Sequence, residues 1–153
     1  SPMFAVARST DYAVRVVLHM ACLEEEAKES ITGIAQARDL PVPFVRRIVS
    51  RLAEAGILRT SRGVGGGVSL ARSASSVSLR DVVLAMEGPS CPSPCLEEPR
   101  SCSQSGTCPV RGIWSKASVV LDNHLRSVLL SDLAREQKHR DAHRKGRAHR
   151  NPS

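Results

Sequence analysis

Between residues 89 and 109 the chain is too rich in proline to continue as a helix or a strand. Five prolines fall in this segment, at positions 89, 92, 94, 99 and 109, with Gly106 among them. The segment therefore has to be a loop. The same loop concentrates the thiols, since four of the five cysteines lie in it: Cys91, Cys95, Cys102 and Cys108.

The spacing of these cysteines points to metal chemistry. Cys95, Cys102 and Cys108 form the pattern C-x6-C-x5-C, and thiolates gathered on one loop suit a soft metal ion or an iron–sulfur cluster. With Cys91 included, the four thiolates would equally satisfy a tetrahedral zinc site. Disulfide bonds are disfavoured, because the cysteine count is odd and the N-terminal residues lack a secretory pattern. A redox-active thiol pair and inert cysteines are the remaining alternatives.

Positive charge is concentrated in two stretches of the chain. Residues 38–72 contain seven Arg against two acidic residues, and residues 137–153 contain six Lys or Arg against one Asp. Because the whole chain carries a net charge of only +7, the rest of it is net acidic. Local basic stretches favour a phosphate-binding surface over a generally cationic protein, and so indicate a nucleic-acid partner.

Ahead of the loop, the apolar periodicity predicts several short helices. The first is expected over about residues 10–23, with His19 at its surface or edge and Cys22 as a small buried side chain. Thr32 is expected to cap a second helix through Ala37. Ser78 is expected to cap another helix that runs through Glu87 and ends just before the loop.

Residues 41–56 carry the strongest DNA-binding signal. Pro43 suits the first turn of a helix that Gly56 closes, with apolar residues on one side of it. The opposite side is polar and basic, and consists of Arg46, Arg47, Ser50 and Arg51. A short helix, a tight turn and a basic amphipathic helix make a helix-turn-helix.

A glycine-rich hairpin is predicted directly after this helix. Strands at 57–60 and 68–71 flank the segment SRGVGGG, which begins at Ser61. A nucleotide-binding loop is disfavoured, because no Lys-Ser/Thr pair and no helix follow the glycines. Glycines at the tip of a DNA-binding wing let backbone amides approach phosphates, and Arg62 could enter a narrow minor groove.

After the loop, one apolar stripe continues over about five helical turns. Its members are Ile113, Trp114, Ala117, Val120, Leu121, His124, Leu125 and Val128. Too little chain follows to cover this stripe, so we expect the helix to pair with its copy in a second subunit. Ser131 is expected to cap a last short helix. The tail that follows is expected to be solvated and flexible, with nonspecific DNA contact as the alternative.

These observations predict a mainly α-helical protein: a winged helix-turn-helix with a β-hairpin wing and a long C-terminal dimerisation helix. We expect a DNA-binding domain at residues 3–88, a cysteine-rich loop at 89–109, helices at 110–136 and a basic tail at 137–153. No apolar run reaches the roughly 20 residues that span a bilayer, so a cytoplasmic protein without membrane contact is expected. An enzyme is disfavoured, because no catalytic pair can be assembled on a recognisable scaffold.

The order of these elements resembles the Rrf-type family of bacterial transcription regulators, which includes IscR, NsrR and RirA. The resemblance covers about residues 3–136. It rests on four sequence segments: TDYAVR from Thr10, SRL from Ser50 with Gly56, RGVGGG from Arg62, and the three cysteines before Pro109 and Trp114. The combination of wing glycines and a cysteine triplet is highly specific, whereas the helix-turn-helix alone would be weak.

The resemblance implies a homodimer in which three loop cysteines, Cys95, Cys102 and Cys108, hold an iron–sulfur cluster of two or four irons. In relatives the fourth ligand is either a His shortly after the third cysteine or a carboxylate on the partner's first helix. Arg111 stands where the His would fall, whereas Asp11 matches the carboxylate of the NsrR-like members. Asp11 of the partner is therefore the expected fourth ligand, with Cys91 as the alternative.

The function expected from these features is that of a dimeric, sequence-specific DNA-binding transcription regulator. Its DNA affinity would be controlled by the cluster in response to nitric oxide, redox stress or iron–sulfur status. Arg46 and Arg47 are expected to contact base edges in the major groove, with Arg51, Arg59 and Ser61 nearer the phosphates. The alternative is a cluster-free or zinc-stabilised regulator of the same fold that responds to a protein partner or small effector.

Overall fold

A computed structural model describes residues 6–88 and 107–150 of the 153-residue chain. It contains helices α1 (Arg8–Cys22), α2 (Ile31–Arg38), α3 (Val42–Glu54) and α4 (Leu79–Glu87), followed by α5 (Pro109–Ser127) and α6 (Leu130–Arg150). Strands β1 (Leu58–Ser61) and β2 (Gly67–Leu70) form an antiparallel hairpin between α3 and α4, and a short 3₁₀ turn follows at Ala74–Ser76. The predicted winged helix-turn-helix followed by a long C-terminal helix is confirmed.

The core is aliphatic and is centred on α1. This helix packs against α3, α4 and α6, and Ala13, Val16 and Val17 on its inner face are completely buried. The facing side of α3 contributes Val45, Ile48, Val49 and Leu52. Because α2 and α3 both pack on α1, the helix-turn-helix is held by apolar contacts rather than by its own short helices.

Local capping signals explain several helix ends. Ser78 forms a capping box with Asp81 at the start of α4, as its position just before the helix predicts. Gly56 ends α3 with φ +77°, the left-handed conformation expected of a closing glycine. The prediction for α2 was wrong in its detail, because Ser30 rather than Thr32 accepts the hydrogen bond from the Gly33 amide.

The wing is joined to the rest of the domain by backbone hydrogen bonds outside the hairpin. Glu29, in the segment before α2, exchanges hydrogen bonds with Val68 of β2, at N···O distances of 3.0 and 2.7 Å. Gly67 adopts φ +147°, and a Cβ there would lie 2.8 Å from the Glu29 carbonyl oxygen. Glycine at this position therefore permits the close approach that holds the wing against the helices.

The structure differs from the flexible tail that the sequence predicted after residue 136. Helix α6 runs without a break from Leu130 to Arg150. It is anchored by Leu130 and Ala134, which are buried, and its exposed part carries pairs one turn apart, such as Arg140 with Glu136 and Gln137 with Asp141. Such pairs and the absence of proline from residues 130–150 favour continuation of the helix.

Candidate nucleic-acid interface and metal centre

The polar side of α3 presents the arginines that the sequence predicted for DNA contact. Arg46 and Arg47 are exposed, and the Arg47 guanidinium carbon lies 4.7 Å from the centroid of the Phe44 ring. The same ring meets Tyr12 of α1 edge-on, with centroids 6.1 Å apart. Stacking on Phe44 restricts the rotamers of Arg47 and orients it along the outer face of the helix.

Arg51 has a second contact that sequence reasoning missed. Its Nη1 donates a hydrogen bond of 3.2 Å to the carbonyl oxygen of Met86, in the last turn of α4. The residue is still exposed, so the remaining guanidinium donors face solvent. Arg51 therefore connects α3 to the end of α4 as well as lying on the basic face.

The wing carries the other predicted DNA contacts. Arg59 and Ser61 lie on β1, paired across the hairpin with Ser69 and Gly67, and Arg62 follows at the start of the glycine turn. All three side chains are exposed. Within residues 6–88 and 107–150, neither Arg59 nor Arg62 forms an ion pair, and the same holds for Arg46 and Arg47. Their charges are therefore available to an external anion.

Of the predicted metal ligands, Cys108 and Asp11 are described, whereas Cys91, Cys95 and Cys102 lie outside the described residues. Cys108 is half-buried and precedes the first residue of α5 as its N-cap. No group of three or more metal-binding side chains occurs in the described part of the chain, so the predicted cluster or four-thiolate zinc site would require the loop cysteines.

Arg111 lies in the first turn of α5, close in sequence to Cys108. Its Nε is buried and has no hydrogen-bond partner among the described residues. A buried N–H without an acceptor is costly. Its position in the first turn of α5 fits an anionic group seated against this end of the helix.

Asp11 lies on the outer side of α1. Its carboxylate is half-exposed and pairs with Arg15, one turn along the helix, at 3.1 Å. Exposed pairs of this kind contribute little stability, so the carboxylate is free to change partners. A ligand contributed to a second subunit has to be accessible in this way.

The last turn of α4 connects the two candidate sites. The Glu87 carboxylate oxygen Oε1 accepts hydrogen bonds from the Thr10 hydroxyl at 2.9 Å and from the Ala7 amide at 3.0 Å. Together with the bond from Arg51 to Met86, it ties the start of α1 and the last turn of α3 to the last turn of α4. We call these three hydrogen bonds the α4 junction. Helix α4 ends at Glu87, with Gly88 as its C-cap, and the cysteine-rich segment of the sequence follows directly.

The burial of His19 differs from the sequence-based prediction. The sequence predicts a surface or edge position for it, but the side chain is only 7 % exposed. Arg38 Nε donates to its Nδ1 at 2.9 Å, and its Nε2 lies 3.4 Å from a carboxylate oxygen of Glu29. Because Arg38 can only donate, His19 carries its proton on Nε2 and donates toward Glu29. The side chain thereby links α1, the end of α2 and the segment that holds the wing.

Much of the apolar stripe of α5 is left uncovered by the other residues that the structure describes. The helix meets α4 through its opposite side, where Arg80 of α4 forms a salt bridge with Asp122, and no residue of α5 is buried. Ile113 and Val120 in the stripe are 63 % and 61 % exposed. The hydrogen bond from Arg80 also holds the pKa of Asp122 below its ordinary value.

Among the described residues, none of the helices has the length and apolar composition needed for a membrane span.

Comparison with known proteins gives matches over most of the chain. Residues 6–136 match the family model described as Rrf2, iron-dependent transcriptional regulator. The curated protein rrf2 of Nitratidesulfovibrio vulgaris is 32% identical over 125 residues, which cover 82% of this chain and 83% of that protein.

Two solved structures of regulators share the fold. CymR, the global cysteine regulator of B. subtilis, superposes with a TM-score of 0.70 at 25% identity and covers 87% of this chain and 98% of its own. IscR of T. potens superposes with a TM-score of 0.71 at 22% identity, with 88% of each chain covered. Both support the fold, and the family match indicates a DNA-binding regulator rather than an enzyme. The chain belongs to the Rrf2 family of transcriptional regulators.

Proposed function

We propose that this protein is a cytoplasmic, homodimeric and sequence-specific regulator whose DNA affinity is set by an iron–sulfur cluster. Cys95, Cys102 and Cys108 of one subunit and Asp11 of the other would hold the group, with Cys91 as the alternative to Asp11. When bound, a cluster supplies an iron centre that reacts with nitric oxide or oxidants. Nitric oxide, redox stress or iron–sulfur status is accordingly the signal we propose.

The observation that carries this proposal is the α4 junction. Glu87 holds the start of α1, which bears Asp11, and the carbonyl of Met86 holds Arg51 of the helix expected to read DNA. The cysteine loop begins directly after this turn. A displacement of the loop or of the first turn of α1 would therefore change the position of α3 through hydrogen bonds rather than through loose packing.

The chemistry around α5 supports an anionic thiolate-bound group. Cys108 stands at the N-terminus of the helix, and the buried Arg111 Nε has no other acceptor among the described residues. Asp11 is exposed enough to reach a second subunit. A carboxylate among thiolates is a weaker and more replaceable ligand, which suits a centre that must react with a small molecule.

The uncovered stripe of α5 supports a second copy of the chain as its partner. Exposed Ile, Trp and Val side chains along one helix face gain roughly 1.5–3 kcal/mol each when they become fully buried. A symmetric pair of these helices would cover both stripes at once. Two helix-turn-helix units would then address half-sites about one DNA turn apart.

The ligand assignment predicts different effects for different cysteines. Replacing Cys95, Cys102 or Cys108 with Ala should abolish the cluster, whereas Cys22→Ala should retain it, because Cys22 contacts the Ala134 carbonyl far along the chain on α6. The measurement is iron and sulfide content, with visible absorption, after anaerobic purification. An iron-loaded Cys102→Ala protein contradicts the assignment, and a colourless protein with one bound zinc supports the zinc-stabilised alternative.

Asp11→Ala and Cys91→Ala separate the two candidates for the fourth ligand. If Asp11 is the ligand, Asp11→Ala should yield a cluster that forms but is lost faster to oxygen or chelators. Arg15→Ala is the matched control, since it removes the ion-pair partner of Asp11 and leaves the carboxylate. Faster loss in Cys91→Ala with no change in Asp11→Ala would identify Cys91 instead.

If the α4 junction transmits the state of the cluster to α3, a variant that lacks it should bind DNA equally well with and without the cluster. Coupling between two sites typically amounts to about 1–3 kcal/mol, which is a difference of roughly 5- to 150-fold in Kd between the cluster-loaded and cluster-free protein. Glu87→Ala should shrink this ratio toward one at unchanged iron content, and Glu87→Gln should restore it because the amide oxygen still accepts hydrogen bonds. An unchanged ratio in Glu87→Ala would show that the coupling takes another route.

Dimerisation through α5 predicts that a charge in its stripe separates the subunits. Val120→Glu should weaken the dimer by roughly 2–4 kcal/mol, since it replaces buried apolar area with a desolvated carboxylate. The mass in solution, measured by light scattering, reports the change. Asn123→Glu is the matched control on an exposed flank of the same helix, and a dimer that persists in Val120→Glu would place the interface elsewhere.

We expect the arginines of α3 to determine the DNA sequence preference, and the basic residues 137–153 to contribute only electrostatic affinity. Arg46→Ala or Arg47→Ala should cost about 1–3 kcal/mol on the operator and relax the preference at one position per half-site. Deleting residues 137–153 should lower the salt dependence of binding without changing the preferred sequence. Titrations over a salt series, on matched and scrambled DNA, test both. Equal weakening on both DNAs in the α3 variants would contradict the division.

A further inference from the structure

The family match ends at residue 136, but α6 continues to Arg150. This extension contains histidines at positions 139, 143 and 149, none of which has a part in the proposed regulator. His139 and His143 are four positions apart in the sequence and lie on the same side of the helix. Their Nε2 atoms are 3.1 Å apart, and the ring centroids are 4.4 Å apart.

This distance between the two nitrogens fits a metal ion as well as it fits a hydrogen bond. Imidazole nitrogens bind zinc at about 2.0–2.1 Å, so two nitrogens 3.1 Å apart subtend an angle of roughly 100° at a shared ion. That angle lies between the values for adjacent ligands in octahedral and tetrahedral complexes. In the absence of an ion the two nitrogens lie within hydrogen-bonding distance of each other, and a bound metal would replace this contact.

We propose that His139 and His143 form a two-histidine site for a divalent transition metal that prefers imidazole, namely Cu²⁺, Ni²⁺ or Zn²⁺. The described residues provide no third His, Cys, Asp or Glu close enough to complete a cluster. The remaining coordination positions therefore belong to water or to ligands that the ion brings with it. The site cross-links one turn of the extension, which has no apolar residue that packs on the core.

The charges around the pair determine the form of metal that it accepts. Glu136 is paired with Arg140, and Asp141 accepts a hydrogen bond from Gln137, so both carboxylates already have a partner within the helix. Residues 137–153 as a whole are basic, with six Lys or Arg against one Asp. A metal ion whose charge is reduced by an anionic chelator is therefore favoured over a bare dication.

The test uses Ni²⁺ held by immobilised nitrilotriacetate, which leaves two adjacent coordination positions open. The full-length protein, His139→Ala, His143→Ala and His149→Ala are compared by surface binding. Because two linked ligands bind far more tightly than one, loss of either member of the pair should weaken binding roughly 100-fold. His149→Ala is the matched control on the same helix and should bind like the unaltered protein.

Equal binding by all four proteins would overturn the proposal, since the nickel would then be held elsewhere, such as by the cysteine loop. A loss in His149→Ala as large as that in His139→Ala or His143→Ala would also overturn it, since the histidines of the tail would then bind without a defined pair. Alanine favours helix, and all three positions are exposed, so the variants retain the fold. A second measurement follows the histidine ring signals by NMR during addition of Zn²⁺. Joint shifts of His139 and His143 without His149 support the site, and no shift in either ring overturns it.

Discussion

The burial of the apolar face of α1 is the interaction on which the rest of the structure depends. This helix contacts α2, α3, α4, α6 and β2, and its inner residues are excluded from water. Full burial of each of Val16 and Val17 contributes roughly 1.5–3 kcal/mol. A hydrogen bond to a charged group, such as that from Thr10 to Glu87, contributes about the same or less. Apolar packing therefore holds the helices together, and the polar contacts select their relative positions.

A central α1 has a consequence for regulation. The helix that carries Asp11 at its outer start also supports α3 from within, and Tyr12, the next residue, touches Phe44 beneath Arg47. The start of the helix is fixed by Glu87, whereas its end is fixed by His19 and by the packing of α6. In the proposed regulator, a displacement of the first turn of α1 would therefore be transmitted toward the face of α3 proposed to contact DNA, because the other end of the helix is firmly held.

Polar groups inside this domain occur where three elements meet. His19 joins α1, α2 and the segment before α2, and the backbone of Glu29 in that segment pairs with the wing. Burial of such groups costs free energy unless each finds a partner. The geometry of the network therefore determines where the wing stands relative to α3, and with it the spacing between Arg62 and the arginines of the helix.

The sequence by itself determined the features that depend on neighbours within a few residues. The capping box at Ser78, the glycine that closes α3, the glycine-rich wing and the stripe of α5 all follow from local periodicity and backbone preference. Residue patterns also placed Arg46, Arg47 and Arg62 on exposed surfaces. The contacts of Glu87 with Thr10 and of Arg51 with Met86 join residues 77 and 35 positions apart, and no local pattern encodes them. The burial of His19 and the continuation of α6 were likewise decided by tertiary structure, because each depends on which distant element supplies a partner or an anchor.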